Sequence, residues 1–244
     1  MIKSILILLI FTSALFGETP VIPTMNFALS SPDTPEQLVS SLNVLVVLTL
    51  LFLAPSMILV MTTFTRFVIV FGFLRQALGT QQVPPTQLLV MLAMVLTFYV
   101  MEPVATKAYE NGVKPYIEEK IGYEEAFNKG VLPFKNFMIR NTREKDLALF
   151  FRIRKMENPQ TVADVPLSVI IPAFVISELK TAFEIGFLLF LPFLVIDMVV
   201  ASILMSMGMM MLPPVMISLP FKILVFVLID GWNLIIGNLI ASIK

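Results

Sequence analysis

Long apolar stretches separated by polar segments dominate the chain. About 20 residues of helix cross a hydrocarbon core of about 30 Å, because each residue adds about 1.5 Å. Four stretches approach that length, whereas the apolar run 167–177 is too short to cross alone. The pattern predicts an all-α integral membrane protein with about four hydrophobic helices arranged in hairpins. The four stretches are 42–61, 86–104, 185–205 and, with polar interruptions, 215–243.

Prolines fall inside these apolar stretches and predict broken helices. A broken helix at membrane depth is tolerated where neighbouring protein or a wet cavity satisfies the freed backbone groups. Four helices alone offer little shelter of that kind, so we expect a homo-oligomer with a cavity at its centre. The prolines concerned are Pro55, Pro172, Pro192, Pro213, Pro214 and Pro220.

The N-terminal pattern predicts export of the start of the chain. Residues 1–17 combine Lys3, a short apolar run and small residues, which is typical of a signal peptide, with a permanent anchor helix as the alternative. Residues 18–41 then form an extracytoplasmic segment. Residues 42–104 form a first membrane hairpin, whose connector carries Arg66 and Arg75 without an acid and is therefore expected to be a short cytoplasmic loop.

Most of the charge lies between the second and third apolar stretches. Within it, the spacing of Leu147, Phe150, Phe151 and Ile153 is helical, so residues 105–165 are expected to form a small soluble helical insert in the periplasm. Either a solvated spacer or a docking surface for neighbouring subunits fits this composition. Residues 166–244 would form a second membrane hairpin with a methionine-rich loop.

Composition narrows the function classes. Hydrophobic residues make up 57% and charged residues 14%, against roughly 45–50% and about 25% in soluble proteins. The 17 basic and 17 acidic residues balance, so nothing points to nucleic acid. The chain has neither cysteine nor histidine, which disfavours disulfides, thiolate chemistry, zinc sites and the commonest general base. We expect no enzyme activity, no cofactor and no metal site.

Ionisable residues within or beside the apolar stretches are candidate functional residues, because each is costly at the bilayer centre. Asp197 and Lys222 stand at similar distances from the methionine-rich loop and are predicted to form a buried ion pair. Glu178, Lys180, Glu184 and Asp230 are predicted to contact other subunits or the gate; alternatively, the first three of them form one solvated helix face.

Several long segments resemble one family. "PAFVISELKTAFEIGFLLFLP" (172–192), "GMMMLPP", "LPFKILVFVLIDGW" (219–232) and the upstream "RFVIVFGFLRQALGTQQVPP" are similar to the FliP family of flagellar type III export-gate membrane proteins, and the resemblance runs from about Leu42 onward. It implies that several copies join two other small membrane proteins in a pore-containing assembly of the inner membrane. The assembly would stand at the flagellar basal body, among larger export-gate and basal-body components, with hairpins that partly leave the bilayer.

The resemblance also implies that unfolded flagellar subunits pass through the pore while energy comes from elsewhere. Such a pore must exclude ions when it is empty. Methionine is apolar and flexible, so Met209, Met210 and Met211 are predicted to form a pore gasket. Pro213 and Pro214 are expected to end the preceding helix and to shape the loop. Met205 and Met207 are expected to fill a helix interface.

Other function classes remain open at this point. A secondary transporter or ion channel subunit also fits broken helices and buried charges, although the chain shows no internal repeat. A copper(I) carrier fits the soft thioether ligands of "MSMGMMM". An intramembrane protease is disfavoured, because no histidine accompanies any serine and because Asp197 and Asp230 lack a recognisable catalytic context.

Overall fold

The computed structural model describes residues 35–80, 83–156, 161–162, 164–209 and 212–244. These residues form helices and connecting turns, with no strand among them, so the predicted all-α class is confirmed. The chain divides into two compact units, residues 1–49 and 50–244. The predicted signal peptide and residues 18–34 of the N-terminal segment lie outside the described residues.

The helices are numbered in chain order, and α1 begins at Pro35, before the boundary between the units. The remaining helices belong to the second unit, and a π-helical segment, Tyr109–Val113, follows α3. Their bounds are α1 Pro35–Val60, α2 Phe64–Ala77, α3 Thr86–Ala108, α4 Lys114–Ile117, α5 Tyr123–Asn141, α6 Glu144–Arg154, α7 Leu167–Ser206, α8 Pro214–Leu228 and α9 Gly231–Ala241.

Helix α2 lies at the centre of the second unit. Phe67, Val70, Phe71 and Leu74 follow helical spacing and are completely or almost completely buried, and α2 packs against both α3 and α7. The connector is thus a helix rather than the expected loop, while its cytoplasmic position stays a prediction. The expectation of a loop rested on two basic residues, whereas the apolar residues between them form a helix face whose burial stabilises the fold.

Helix α7 is a single helix of 40 residues, about 60 Å long, and twice the thickness of a hydrocarbon core. It joins the short run 167–177 to the predicted span 185–205. Pro172 and Pro192 lie inside it, just as Pro55 lies inside α1 and Pro220 inside α8, so the predicted breaks at these prolines were wrong. Proline removes one backbone donor, and neighbouring helices can compensate for that loss.

A break without proline separates α8 from α9. The two helices meet at an angle of 65° around Ile229 and Asp230. By length and composition, two helices of the described chain could cross a membrane, the continuous Thr86–Ile117 and Leu167–Ser206, or three if the bent α8–α9 pair is one span. A shorter apolar helix covers Leu42–Met57.

The charged stretch forms helices between residues 105 and 154, as its spacing indicates, and these helices share a hydrophobic core with α7. Phe137 and Met138 of α5 and Phe151 of α6 are buried against Ile170 and Phe174 of α7. The rings of Phe137 and Phe174 meet edge to face at 5.9 Å. This cluster anchors the insert on the first half of α7.

Candidate functional site

The methionine loop (residues 207–213) joins α7 to α8. Gly208 ends α7 in the left-handed conformation, with φ of 71°, and its N–H donates to the Met205 carbonyl. The Met209 N–H donates to the Leu204 carbonyl, which completes a glycine C-cap. Because the cap ends the helix at Ser206, Met209 lies in the loop rather than on a helix face.

Four methionine side chains in and beside this loop are exposed. They are those of Met205, Met207, Met209 and Met216, so Met205 and Met207 do not fill a helix interface within this chain, and a helix interface with another subunit stays a prediction. Met210 and Met211 lie outside the described residues.

The double proline lies at the start of α8 and not at the end of α7, where it was predicted. Pro213 precedes α8, and Pro214 is its first residue, a position that needs no backbone N–H and suits the φ of proline. The two prolines therefore start α8, and the expectation that they end the preceding helix was wrong, because Gly208 already ends it.

Asp197 of α7 and Lys222 of α8 are in contact about 15 Å of helix away from the loop. The Lys222 ammonium lies 2.7 Å from Asp197 Oδ2 and donates to the Ala77 carbonyl at 3.0 Å. Ser218 donates its hydroxyl to Asp197 Oδ1, one turn before Lys222 on α8. Lys222 is buried at the C-terminus of α2, where a cation is stabilised by the helix dipole. One lysine thus ties α2, α7 and α8 together.

A second ion pair, between Arg66 and Glu178, was not foreseen from the sequence. Arg66 Nε lies 2.8 Å from Glu178 Oε2, and the Nη2 group donates to Oε1. The remaining Nη1 group donates to the carbonyl and the hydroxyl of Ser242, at 3.0 and 2.9 Å. Both charged side chains are almost completely buried, and every arm of the guanidinium has a partner. The pair joins α2 to α7 and to the segment after α9.

Glu178 therefore does not share the solvated face that was considered for it. Lys180 and Glu184 are exposed and lie 3.5 Å apart, and Arg143 approaches Glu184 at 3.7 Å. Asp230 lies away from these residues, at the bend between α8 and α9, with a left-handed φ of 50° and a hydrogen bond from Asn233. The four predicted contact residues thus occupy three different places.

Asp146 links α6 to α7 through hydrogen bonds. It accepts hydrogen bonds from the Ser177 hydroxyl at 2.6 Å and from Arg143 Nε at 3.0 Å. Burial by itself raises the pKa of the Asp146 carboxyl, but the Ser177 hydrogen bond and the Arg143 charge outweigh it, so the pKa is lowered below its ordinary value.

The lowered pKa gives a pH prediction with a defined sign. The stabilisation from Asp146 is fully present above the ordinary aspartate pKa of about 3.9 and is lost as the pH falls through the lower, folded-state pKa. Between pH 6 and pH 3, the detergent-solubilised protein should therefore lose more thermal stability than its Asp146→Asn variant does. The exposed Glu144→Gln change on the same helix is the control. An equal loss in the Asp146→Asn and unmodified proteins would contradict this prediction.

The fold and these charges define a polytopic helical membrane protein with two ion pairs between its helices and a methionine-containing loop in which Met207, Met209 and Leu212 are exposed. The two acids of these pairs, Glu178 and Asp197, are about 28 Å apart along α7, close to the thickness of a hydrocarbon core. The FliP family profile matches residues 47–239, and the chain belongs to the FliP family.

Relatives named "Flagellar biosynthetic protein FliP" are similar over nearly the whole chain. The one from Bacillus subtilis is 53% identical over 212 residues, which cover 87% of this chain and 96% of the relative. The one from Pectobacterium carotovorum is 47% identical over 235 residues, or 96% and 90% of the two chains. The one from Caulobacter vibrioides is 54% identical over 197 residues, or 81% and 74%.

Proposed function

We propose that this chain is a pore-forming subunit of the flagellar type III protein export gate and conducts unfolded flagellar subunits across the bacterial inner membrane. Membership of the FliP family and the apolar helices support a flagellar role in a membrane. The observation that carries the conducting role is the exposure of Met207, Met209 and Leu212 in the loop at the end of a helix about 60 Å long.

The loop suits a seal that must open for a moving polypeptide. Methionine has an unbranched thioether side chain that excludes water and repacks around side chains of different shapes. Met209, Met210 and Met211 of neighbouring copies would meet on the pore axis and close the empty channel. Leucine or isoleucine would also exclude water, but their stiffer packing would yield less easily.

The helices that flank the loop are suited to stay in place while the loop moves. Lys222 bonds simultaneously to Asp197 of α7 and to the end of α2, so the two helices that flank the loop share one anchor. Breaking such a pair from one side leaves an uncompensated charge, which resists separation of the helices. Opening would then be confined to residues 207–213.

An assembly of several copies is part of the proposal. A wholly apolar groove of about 410 Å³ lies between α7 and α8, lined by Val195, Val199, Ile203 and Phe221 among others, and suits packing against a neighbouring subunit. We place several copies together with two other small export-gate membrane proteins and larger basal-body components, in the inner membrane at the flagellar basal body. Energy would come from those components, so the chain acts as a conduit and not as an enzyme.

Deleting the gene tests this function directly. We expect loss of flagellar filaments and of flagellar subunits from the medium, because the conduit is missing, while a periplasmic protein exported by the general secretory route stays at its normal level. The measurements are electron microscopy of cells and immunoblots of medium and periplasm. Complementation with the unmodified chain is the control. Filaments and exported subunits in the deletion strain would refute the proposal.

A further inference from the structure

A cavity of about 670 Å³ lies between α3, α5 and the segment that follows α9. It is separate from the methionine loop and from the side chains of both ion pairs. The side chains that bear on its chemistry are those of Tyr99, Glu102, Lys107, Asn111, Asn136 and Arg140.

Two cationic side chains that line this cavity have no ion-pair partner among the described residues. Lys107 and Arg140 are exposed and form no ion pair or side-chain hydrogen bond within the described part of the chain. Glu102 contributes one carboxylate to the same lining, and Lys244 also borders the cavity, so its charge is positive overall. A guanidinium and an ammonium on one concave surface suit a phosphate group, which a guanidinium can bind through two parallel hydrogen bonds.

An apolar face of α3 leads directly to the cavity. Leu88, Met91, Val95 and Phe98 recur every three or four residues, and each is more than half exposed. Glu102, four residues after Phe98, continues this face and lines the cavity. Helix α3 belongs to a continuous helical stretch that is long and apolar enough to cross a membrane, and Lys107 lies in its last turn.

We propose that this cavity binds the headgroup of an anionic phospholipid. Arg140 and Lys107 hold the phosphate, Asn111 and Asn136 donate hydrogen bonds to the headgroup, and an acyl chain lies along the apolar face of α3. Tyr99 stands where the apolar face meets the cavity, as aromatic residues do at the membrane–water interface. Excess positive charge favours an anionic lipid over a zwitterionic one. A free phosphate would leave the apolar face uncovered.

The experiment uses the complete complex purified in mild detergent, stripped of lipid and titrated with phosphatidylglycerol or phosphatidylethanolamine. Lipid bound per chain is counted by native mass spectrometry. We expect preferential binding of phosphatidylglycerol, weakened about tenfold or more in the Lys107→Gln/Arg140→Gln double variant, because both cations that attract the phosphate are removed. The matched control is Lys114→Gln/Arg152→Gln, which removes one exposed lysine and one exposed arginine elsewhere.

A second variant keeps the test valid if the double variant fails to assemble. Glu102→Gln removes the carboxylate that repels the phosphate, so it should strengthen phosphatidylglycerol binding, whereas the exposed Glu110→Gln should not. Equal binding of the two lipids, or no effect of the cavity variants, would overturn the proposal. So would displacement of the lipid by glycerol 3-phosphate at equal concentration, or an α3 face covered by a second copy that excludes lipid.

Discussion

Replacing Glu178 by leucine is expected to lower the free energy of unfolding by about 3–5 kcal/mol. The change leaves the buried Arg66 guanidinium without its carboxylate partner, and the remaining bonds to Ser242 do not neutralise its charge. We expect a lower thermal midpoint for the solubilised protein and less assembled complex in membranes. Thermal unfolding and quantitative immunoblots of purified membranes measure these effects.

The Arg66→Met/Glu178→Leu double variant separates charge from packing. Replacing a buried ion pair by apolar groups of similar size is often neutral or stabilising, so the double variant should recover much of the stability lost in the single variant. Glu184→Leu is the matched control on the same helix, because its side chain is exposed. A Glu178→Leu protein as stable as the unmodified one, or a double variant no better than the single one, would contradict this account.

The pairing of Asp197 with Lys222 can be predicted from the sequence, because a charge in an apolar stretch has few possible partners of opposite sign. Asp197 is the single charge of the stretch 185–205, and Lys222 shares the stretch 215–243 with one other charge, Asp230. The methionine-rich loop between them brings α7 and α8 side by side. Opposite charges in a low dielectric are tolerated when they lie close together. Ser218 and the Ala77 carbonyl, which complete the site, carry no comparable signal in the sequence.

The pairing of Arg66 with Glu178 was not predicted from the sequence, because the number of charged residues in a stretch does not show which face of a helix is buried. Glu178 and Lys180 are two residues apart and point to opposite sides of α7, whereas Lys180 and Glu184 share a face. The sequence nevertheless contained a signal. Glu178 belongs to a row of residues spaced by four along α7, and the other members of this row, Phe174, Ala182 and Gly186, are all buried. Gly186 packs directly against the Phe73 ring of α2.

Helix continuity depends on tertiary packing that sequence patterns do not contain. Pro192 lies within the longest helix, whose flanks pack against α2 and α8, whereas the bend at Asp230 has no proline. There the chain turns through a left-handed aspartate, a conformation that short polar side chains tolerate better than most. A proline rule alone therefore places the interruptions wrongly in this chain.

Replacing Met209, Met210 and Met211 together by alanine is expected to raise the small-ion permeability of membranes that hold the assembled complex. Alanine removes the flexible thioether arms, so the empty channel would keep a gap that water and ions can enter. The ion pair of Asp197 and Lys222 anchors the flanking helices independently of the loop, so folding and assembly should be retained. Ion flux into proteoliposomes of equal complex content measures the leak.

The matched control removes three exposed methionines from the helices that flank the loop, through Met198→Ala, Met205→Ala and Met216→Ala. These side chains lie on α7 and α8, so their loss should leave the closed channel tight even though the number of methionines lost is the same. A leak in both triple variants would assign the effect to general loosening of the helices. An unchanged leak in the loop variant, with the complex shown to be present, would exclude Met209, Met210 and Met211 as the seal.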